Sequence, residues 1–261
     1  MTDYQLDNRW PLAQRRLSLL CEAADPQSIE ALRATGITRG WRCLDVGAGL
    51  GTVARWMATA VGPDGHVTAT DIETRFLDQQ QDAGYSVLRH DIVNDPLDEG
   101  VYDLVHVRAV LMHLPSPPRV LEKLARALRP GGWLVVEEPD FLVDGPDELG
   151  VSPEDRELYT RVKQQILETL AARGLHFSMG RTLWGSLRRL ELESIVGFGR
   201  TQLIVGGSPQ SEFESLTYSQ LLPTITSTSV EDGKRFLALF TSPKFAYFRE
   251  MLVSVSGQKP T

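Results

Sequence analysis

The sequence has little of what marks secreted, membrane-spanning or zinc-binding proteins. Its 261 residues contain only two cysteines, Cys21 and Cys43, whose separation fits neither a disulfide framework nor a metal-binding pair. The apolar runs are short and broken by charge, so we expect no transmembrane helix and no membrane partner. The first ten residues lack a basic segment followed by an apolar core, which argues against a secretory signal. These absences predict a cytoplasmic protein with free thiols.

Basic residues are also fewer than acidic ones. The chain has 34 acidic and 27 basic residues, a net charge of −7, and no stripe of lysine or arginine that could follow a phosphate backbone. Some acidic enzymes act on RNA, but the balance favours a protein that binds no nucleic acid. With 42% apolar and 23% charged residues, the chain has the composition and length of one globular domain with an insertion.

The stretch from Trp41 to Ala60 organises the rest of the chain. A short apolar run around Asp45 predicts a buried strand, and glycines follow at 47, 49 and 51 before a segment of helical periodicity. A strand, a glycine turn and a helix in this order form a ligand cradle, because the helix N-terminus offers unpaired N–H donors. Dinucleotide sites prefer G-x-G-x-x-G. Here the third glycine comes one residue too early for that pattern.

The pattern D-x-G-x-G-x-G resembles motif I of the class I S-adenosylmethionine-dependent methyltransferases. The resemblance implies S-adenosyl-L-methionine as the cofactor. It also implies that Asp45 lies near the methionine amino group of the cofactor. The backbone that would line the methionine and ribose comprises Gly47, Ala48, Gly49 and Gly51.

An acidic residue follows the second predicted strand, 66–70. Asp71 comes 20 residues after Gly51, where a carboxylate can accept hydrogen bonds from two ribose hydroxyls. It could equally serve as the N-cap of a helix predicted over 73–81, and the two roles are compatible. We assign Asp71 and its neighbour Ile72 to the cofactor site.

The third predicted strand, 86–90, ends in Asp91 and Ile92. The resemblance implies that the Asp91 carboxylate binds the adenine amino group and that the Ile92 N–H meets the ring. Val107 and Arg108 close the fourth strand at the same edge of the sheet. Arg108 could hold the cofactor carboxylate, the substrate, Asp91 or Glu138.

The run L-R-P-G-G-W-L-V-V-E, residues 128–137, resembles the ubiquinone/menaquinone-type and small-molecule branch of the same family. The resemblance extends over about 40–138. It implies an α/β fold with a seven-stranded, mostly parallel sheet, helices on both faces and an antiparallel last strand near 251–256. The expected divisions are N-terminal helices in 1–40 (9–22 and 26–36), a cofactor-binding core in 41–140, a helical lid insertion in 141–190, and strands and helices in 191–261.

Methyl transfer from a sulfonium needs alignment and, for some acceptors, removal of a proton. The segment 106–110 has no carboxylate of the kind that metal-dependent members place there, so we expect no metal. His113 is the predicted catalytic base, although its H-L-P context could instead cap a loop. His176 in the lid is a second candidate, and Glu138 could bind substrate or take a proton.

These patterns predict a metal-independent methyltransferase that acts on an O, N or C nucleophile of a small metabolite, with natural-product biosynthesis as the expected setting. The alternative is a nucleotide-binding or regulatory homologue that kept the fold and lost catalysis. An NAD-dependent oxidoreductase lacks support, because neither G-x-G-x-x-G nor a catalytic Tyr/Lys pair is present. The sequence leaves the acceptor atom open, as well as the choice between a monomer and a homodimer.

Overall fold

The computed structural model describes residues 6–79 and 84–261 of the chain. Its strands are β1 (Arg42–Val46), β2 (His66–Asp71), β3 (Ser86–Arg89), β4 (Tyr102–Arg108), β5 (Leu128–Asp140), β6 (Gly145–Pro146), β7 (Glu193–Arg200), β8 (Leu203–Val205), β9 (Ala246–Phe248) and β10 (Met251–Gln258). The α-helices are α1 (Ala13–Ala34), α2 (Thr52–Val61), α3 (Pro117–Ala127), α4 (Pro153–Ala172), α5 (Leu183–Arg189), α6 (Ser211–Leu221) and α7 (Val230–Leu239).

Seven strands form the large sheet in the order β3-β2-β1-β4-β5-β10-β7. Strands β1 to β5 pair in parallel, whereas β10 runs antiparallel to both of its neighbours, β5 and β7. The predicted α/β class, the seven-stranded mostly parallel sheet and the antiparallel last strand are confirmed. Strand order reverses between β1 and β4, which places a crevice at their carboxyl ends.

Helices cover both faces of this sheet. Alternate residues of each central strand point to opposite faces, so Leu44 and Val46 pack with α3 and α5, whereas Cys43 packs with α1 and α2. The predicted covering of both faces is confirmed. Among the described residues, no helix combines the length and apolar character needed to cross a membrane.

The prediction of two N-terminal helices was wrong, because α1 is one continuous helix with Pro26 inside it. The expected break before residue 26 would have made Asp25 the N-cap of a second helix, but Asp25 lies inside α1. Its carboxylate instead pairs with Arg108, Oδ1 to Nη2, at 2.9 Å. Proline removes one helical hydrogen bond and costs about 3 kcal/mol in a helix interior. Polar bonds between the sheet and Gln27 and Ser28 hold the helix directly after this defect.

The helix predicted over 73–81 was also wrong where the structure describes it. Residues 73–79 form turns, and 80–81 lie outside the described residues. The Glu73 N–H bonds to the Asp71 carboxylate at 3.0 Å, and the Arg75 N–H bonds to the Glu73 carboxylate at 3.2 Å. Such local bonds from side chain to backbone compete with a helix for the same N–H donors.

Strand β5 includes the whole run 128–137, although the sequence pattern predicts a strand only over its apolar part, 133–137. Residues 128–132 join it through a bulge opposite β4, and the Gly131 N–H bonds to the Lys259 carbonyl at 2.9 Å. The strand also continues to Asp140, so Glu138 lies within it. In the C-terminal part, 191–261, where strands and helices were expected, β7 joins the large sheet and β8 forms a small sheet with β6 and β9.

The predicted helical insertion after β5 is present, but it shares its core with the C-terminal part of the chain. Helix α4 begins where Ser152 Oγ accepts from the Asp155 N–H at 3.2 Å. Its apolar side packs against α6 and α7 around six aromatic residues: Tyr159, Tyr218, Phe236, Phe240, Phe245 and Tyr247. We call the elements around this aromatic core the cap. The division into 141–190 and 191–261 stays a prediction.

The cap attaches to the large sheet at its carboxyl edge. The Phe141 N–H bonds to the Phe177 carbonyl at 3.0 Å, and the His176 N–H bonds to the Met112 carbonyl at 2.9 Å. Inside the cap, Lys163 Nζ lies 2.5 Å from Asp144 Oδ2, which ties the segment after β5 to α4. The cap therefore adjoins the end of the sheet where a parallel α/β fold binds ligands.

We predict that Phe236→Ala destabilises the protein by about 3–5 kcal/mol, because this fully buried ring contacts Tyr159, Tyr218 and Phe240 and its removal leaves a cavity. The matched control is Phe248→Ala, where the ring is 44% exposed and the loss should stay below about 1 kcal/mol. Urea denaturation of both variants measures the difference. Equal losses would show that the cap has no core of its own.

Candidate cofactor and active site

Three glycines shape the loop between β1 and α2, each with a positive φ: 69° at Gly47, 55° at Gly49 and 71° at Gly51. Added Cβ atoms would overlap Val110 at Gly47 and Tyr85 at Gly51, so packing requires those two glycines. At Gly49, a Cβ would meet no atom within 4 Å. Gly49 therefore borders open space that a side chain would fill, as a ligand cradle requires.

Asp71, at the end of β2, holds this loop. Its Oδ2 accepts from the Gly49 N–H at 3.0 Å, and its Oδ1 accepts from the Glu73 N–H at 3.0 Å. Burial raises the pKa of Asp71, although the backbone donors oppose this shift. The adjacent Ile72 is 53% exposed, which leaves an apolar surface beside the carboxylate. Ala48 completes the loop, and its N–H bonds to the Thr70 carbonyl at 2.9 Å.

Asp91 lies after β3 and is bonded within its own turn. Its Oδ1 accepts from the Val93 N–H at 2.9 Å, and its Oδ2 accepts from Asn94 Nδ2 at 2.7 Å. The Asn94 bond lowers the pKa of Asp91. The Ile92 side chain is buried in the sheet core, and its carbonyl accepts from Lys123 Nζ at 2.7 Å. Only the backbone of Ile92 is thus placed for a ligand.

Asp45 lies on the sheet face covered by α1, and its Oδ1 is 2.7 Å from His106 Nδ1. The other ring nitrogen of His106, Nε2, lies 3.0 Å from Glu137 Oε2. All three side chains are at most 3% exposed. Burial would lower the pKa of His106, but the two carboxylates outweigh it and raise the pKa to about 9. His106 is therefore a buried imidazolium that donates from both nitrogens.

Arg108 pairs with neither Asp91 nor Glu138, the two protein partners that the sequence suggested. Besides the ion pair with Asp25, its Nη1 donates to Ser28 Oγ at 2.7 Å, and both contacts lie on α1. Val107 is fully buried in the core on the opposite face. These two residues thus connect β4 to the two helical layers, and only their backbone lies at the crevice.

Glu138 holds the turn after β4. Its Oε1 accepts from the N–H groups of Val110 and Leu111 at 3.0 and 2.7 Å, and its Oε2 accepts from the Met112 N–H at 3.2 Å. Burial raises the pKa of Glu138 to about 8, against the effect of these donors. Glu138 therefore fixes the backbone that carries His113.

His113 ends the short 3₁₀ helix Leu111–His113. Burial, together with Arg16 on α1, lowers its pKa to about 4, so its imidazole is neutral at pH 7. The turn borders the glycine loop through Val110, the residue that a Cβ at Gly47 would overlap. His176 is exposed and contacts the same turn, with its N–H on the Met112 carbonyl and its Nε2 3.2 Å from the Leu114 carbonyl. Of the two histidine candidates, His113 is thus the one that belongs to the turn itself and is more shielded from solvent.

Comparison with known families identifies the central part of the chain. Residues 44–136 match the methyltransferase-domain family, and the match begins in β1 and ends in β5. Residues 44–136 are thus similar to a methyltransferase domain.

The curated relatives of the chain are partial matches. A 37.1 kDa protein of transposon TN4556 in Streptomyces fradiae is 30% identical over 62% of this chain and 46% of its own length. A ubiquinone/menaquinone biosynthesis C-methyltransferase, UbiE of Laribacter hongkongensis, is 33% identical over 41% of this chain and 46% of its own length. The chain therefore spans less than half the length of these relatives.

Similarity to solved structures extends beyond residues 44–136. The Haemonchus contortus phosphoethanolamine N-methyltransferase 2, solved with phosphomonomethylethanolamine and S-adenosylhomocysteine, superposes with a TM-score of 0.54. The alignment covers 90% of this chain and 53% of that one at 17% identity. At this identity the similarity supports the fold of the chain.

The structure brings some of the predicted site residues close together and places others apart. Asp71 meets the glycine loop at Gly49, and the turn of His113 borders the same loop. Asp91 bonds its own turn, and Arg108 points to α1. Sequence reasoning missed the roles of His106 and Glu137. Alternation in the buried strands placed both on the same sheet face as Asp45, and charged residues at such positions signal a buried network.

Within the described ranges, no group of three or more His, Cys, Asp or Glu side chains could hold a metal ion. The charged groups of the site are instead held by hydrogen bonds and ion pairs. The glycine loop, Asp71 and the turn at 110–113 form one continuous junction. At Gly49 this junction borders open space.

We predict that His106 makes stability fall at alkaline pH. Its pKa is about 9 in the folded protein and 6.5 ordinarily, so its stabilising contribution is complete below pH 6.5 and is lost as the pH rises to about 9. The loss should be about 3 kcal/mol. Urea denaturation between pH 6 and 9.5 should show wild type losing its advantage over His106→Asn across this window.

The exposed His176 provides the control, because His176→Asn should follow the wild-type pH dependence. Parallel curves for wild type and His106→Asn over the whole range would show that His106 is not a buried imidazolium.

Proposed function

We propose that the chain is a metal-independent methyltransferase that uses S-adenosyl-L-methionine and acts on an O, N or C nucleophile of a small metabolite. The open space at Gly49, bonded to Asp71 from the neighbouring strand, carries this proposal. A loop with a positive φ and no neighbour at the Cβ position fits a ligand that lies against the backbone. The family of residues 44–136 supports the same assignment.

The residues present fit the parts of this cofactor. The carboxylate of Asp45 would accept from the amino group, and the loop Gly47–Gly51 would line the methionine and ribose. Asp71 would accept from the ribose hydroxyls, because each of its oxygens has further acceptor capacity beyond one backbone bond. The exposed Ile72 would cover the adenine together with the Ile92 backbone. Asp91 would reach the adenine amino group by giving up the Asn94 bond.

When bound, the cofactor supplies an electrophilic methyl group activated by its sulfonium. The protein contributes alignment and proton transfer. His113 is neutral at pH 7 because its pKa is lowered to about 4, so a ring nitrogen can accept the proton of an acceptor O–H or N–H. Glu138 fixes the turn beneath it. An acceptor carbon that is already nucleophilic would depend less on His113.

We propose that the cap supplies the acceptor side of the site, as a lid over the cofactor. It is bonded to the turn of His113 through the His176 N–H and the Met112 carbonyl. Only residues 44–136 match the family, whereas the cap elements that adjoin the turn follow after residue 140. Acceptor specificity would therefore come from the part of the chain outside the match. The UbiE relative supports a small-molecule acceptor, in keeping with biosynthetic chemistry.

We also propose a cytoplasmic location. Both cysteines, Cys21 and Cys43, are buried free thiols, which fits a reducing compartment.

We predict that wild type binds S-adenosylhomocysteine and that Gly49→Val lowers this affinity by at least about 100-fold, because the added side chain occupies ligand space. Gly100→Val is the matched control. Gly100 also has a positive φ, 68°, and nothing within 4 Å of its Cβ position, so the backbone strain is similar. Calorimetry on both folded variants separates strain from ligand exclusion.

If folded Gly49→Val bound S-adenosylhomocysteine with near wild-type affinity, the cofactor would not bind at the glycine loop. Wild type that binds S-adenosylhomocysteine but modifies no acceptor would favour the alternative of a regulatory homologue.

We predict that His113→Gln lowers kcat by about 100-fold for O or N acceptors, while cofactor affinity changes by no more than a few-fold, since general base catalysis contributes on this order. Labelled methyl transfer to a panel of phenols, amines and 1,3-dicarbonyl compounds measures the effect. His176→Gln is the control and should retain activity. A His113→Gln variant that loses activity only in proportion to its folded fraction would show that His113 is structural.

A further inference from the structure

A continuous chain of buried polar side chains crosses the large sheet beneath α1. From Asp45 on β1 it passes to His106 on β4 and Glu137 on β5, with contacts of 2.7 and 3.0 Å. Ser254 on β10 then donates to Glu137 Oε1, and Gln27 on α1 donates from Nε2 to Ser254 Oγ at 2.8 Å. Each of the five side chains is almost fully buried.

The strand register explains why these residues meet. Asp45 pairs with His106 across β1 and β4, and Glu137 pairs with Ser254 across β5 and β10. Arg108, on the same face, pairs in register with Glu137 and lowers its pKa further, after the effect of His106. Its own ion pair with Asp25 connects this face to α1 a second time. The chain thus connects four strands and one helix.

Stability alone gives little reason for such a network. Buried ion pairs often contribute no more than apolar residues of the same volume, because desolvation offsets their attraction. A position-dependent role is the better explanation, since Asp45 lies two residues before Gly47, where the loop begins. The bond to His106 occupies Oδ1 and so fixes the rotamer of the carboxylate. Second partners of this kind orient the groups that hold a ligand.

We propose that His106 is a positioning residue for the cofactor, which sets the Asp45 carboxylate to receive the amino group of the bound ligand. This inference rests on the proposed function. His106 acts through Asp45 and does not itself touch the ligand. Glu137, Ser254 and Gln27 hold the imidazole in place from the side away from Asp45. The raised pKa of His106 supports this arrangement, because an imidazolium can donate to both carboxylates at once.

The test compares two ligands that differ in the amino-acid part. S-adenosylhomocysteine carries the amino group that Asp45 would bind, whereas 5′-methylthioadenosine has the same nucleoside and sulfur without it. His106→Asn should lower the affinity for S-adenosylhomocysteine by about 10- to 100-fold, the range for loss of a hydrogen bond to a charged group. Affinity for 5′-methylthioadenosine should stay within about 2-fold of wild type.

A double-mutant cycle tests whether His106 affects ligand affinity through Asp45, which a purely structural role of His106 would not require. If His106 acts through Asp45, the double variant Asp45→Asn/His106→Asn should bind S-adenosylhomocysteine no more weakly than Asp45→Asn alone. Glu137→Gln is a second, milder variant in case His106→Asn does not fold. It keeps a bond to the imidazole while removing one charge, and it should produce a smaller loss with the same ligand selectivity.

Asp103→Asn is the control for loss of a buried charge on β4. Asp103 is buried at the opposite end of the strand, where it accepts from the Arg42 N–H at 2.7 Å, and its replacement should affect both ligands equally. The inference would be overturned if the His106 and Glu137 variants lost equal affinity for both ligands. It would also be overturned if the affinity losses in the double-mutant cycle were additive. If wild type binds neither ligand, the proposed function itself fails.

Discussion

The interaction on which the architecture depends is the pair of contacts that His106 makes with Asp45 and Glu137. A charge buried between helix and sheet needs a partner, because its desolvation costs several kcal/mol. These contacts therefore require β1, β4 and β5 to keep one register. Ser254 and Gln27 extend the requirement to β10 and α1. The helix that covers this face is thus attached by polar bonds as well as by apolar packing.

At the carboxyl edge of the sheet, the same kind of hydrogen bonding occurs twice. Each of the two irregular segments beside the crevice is held by a carboxylate from the neighbouring strand. Asp71 of β2 accepts from Gly49 in the loop after β1, and Glu138 of β5 accepts from residues 110–112 in the turn after β4. Buried backbone donors must be satisfied, and a fixed acceptor also orders the loop. The proposed cofactor loop and the turn of the proposed base are therefore held in the same way.

The cap is held together mainly by apolar packing. Its aromatic core combines α4 with α6 and α7, which come from separate parts of the chain, and Lys163 ties the segment after β5 into it through Asp144. The family match ends at residue 136, before any of these elements. The proposed cofactor site and the proposed acceptor specificity thus reside in different structural layers.

The sequence by itself located the glycine loop, because this depends on local periodicity and on residues that accept a positive φ. The α/β class and the antiparallel last strand followed from the family resemblance of its motifs. The sequence also placed Asp71 correctly at the end of β2. Only the tertiary structure decided the partners of the charged side chains. His106 lies 61 residues from Asp45 and 31 from Glu137 along the chain, and Arg108 meets Asp25 across a helix that the sequence had divided at Pro26. Local patterns carry no information about such distant contacts, since strand register and helix docking bring these residues together only in the folded chain.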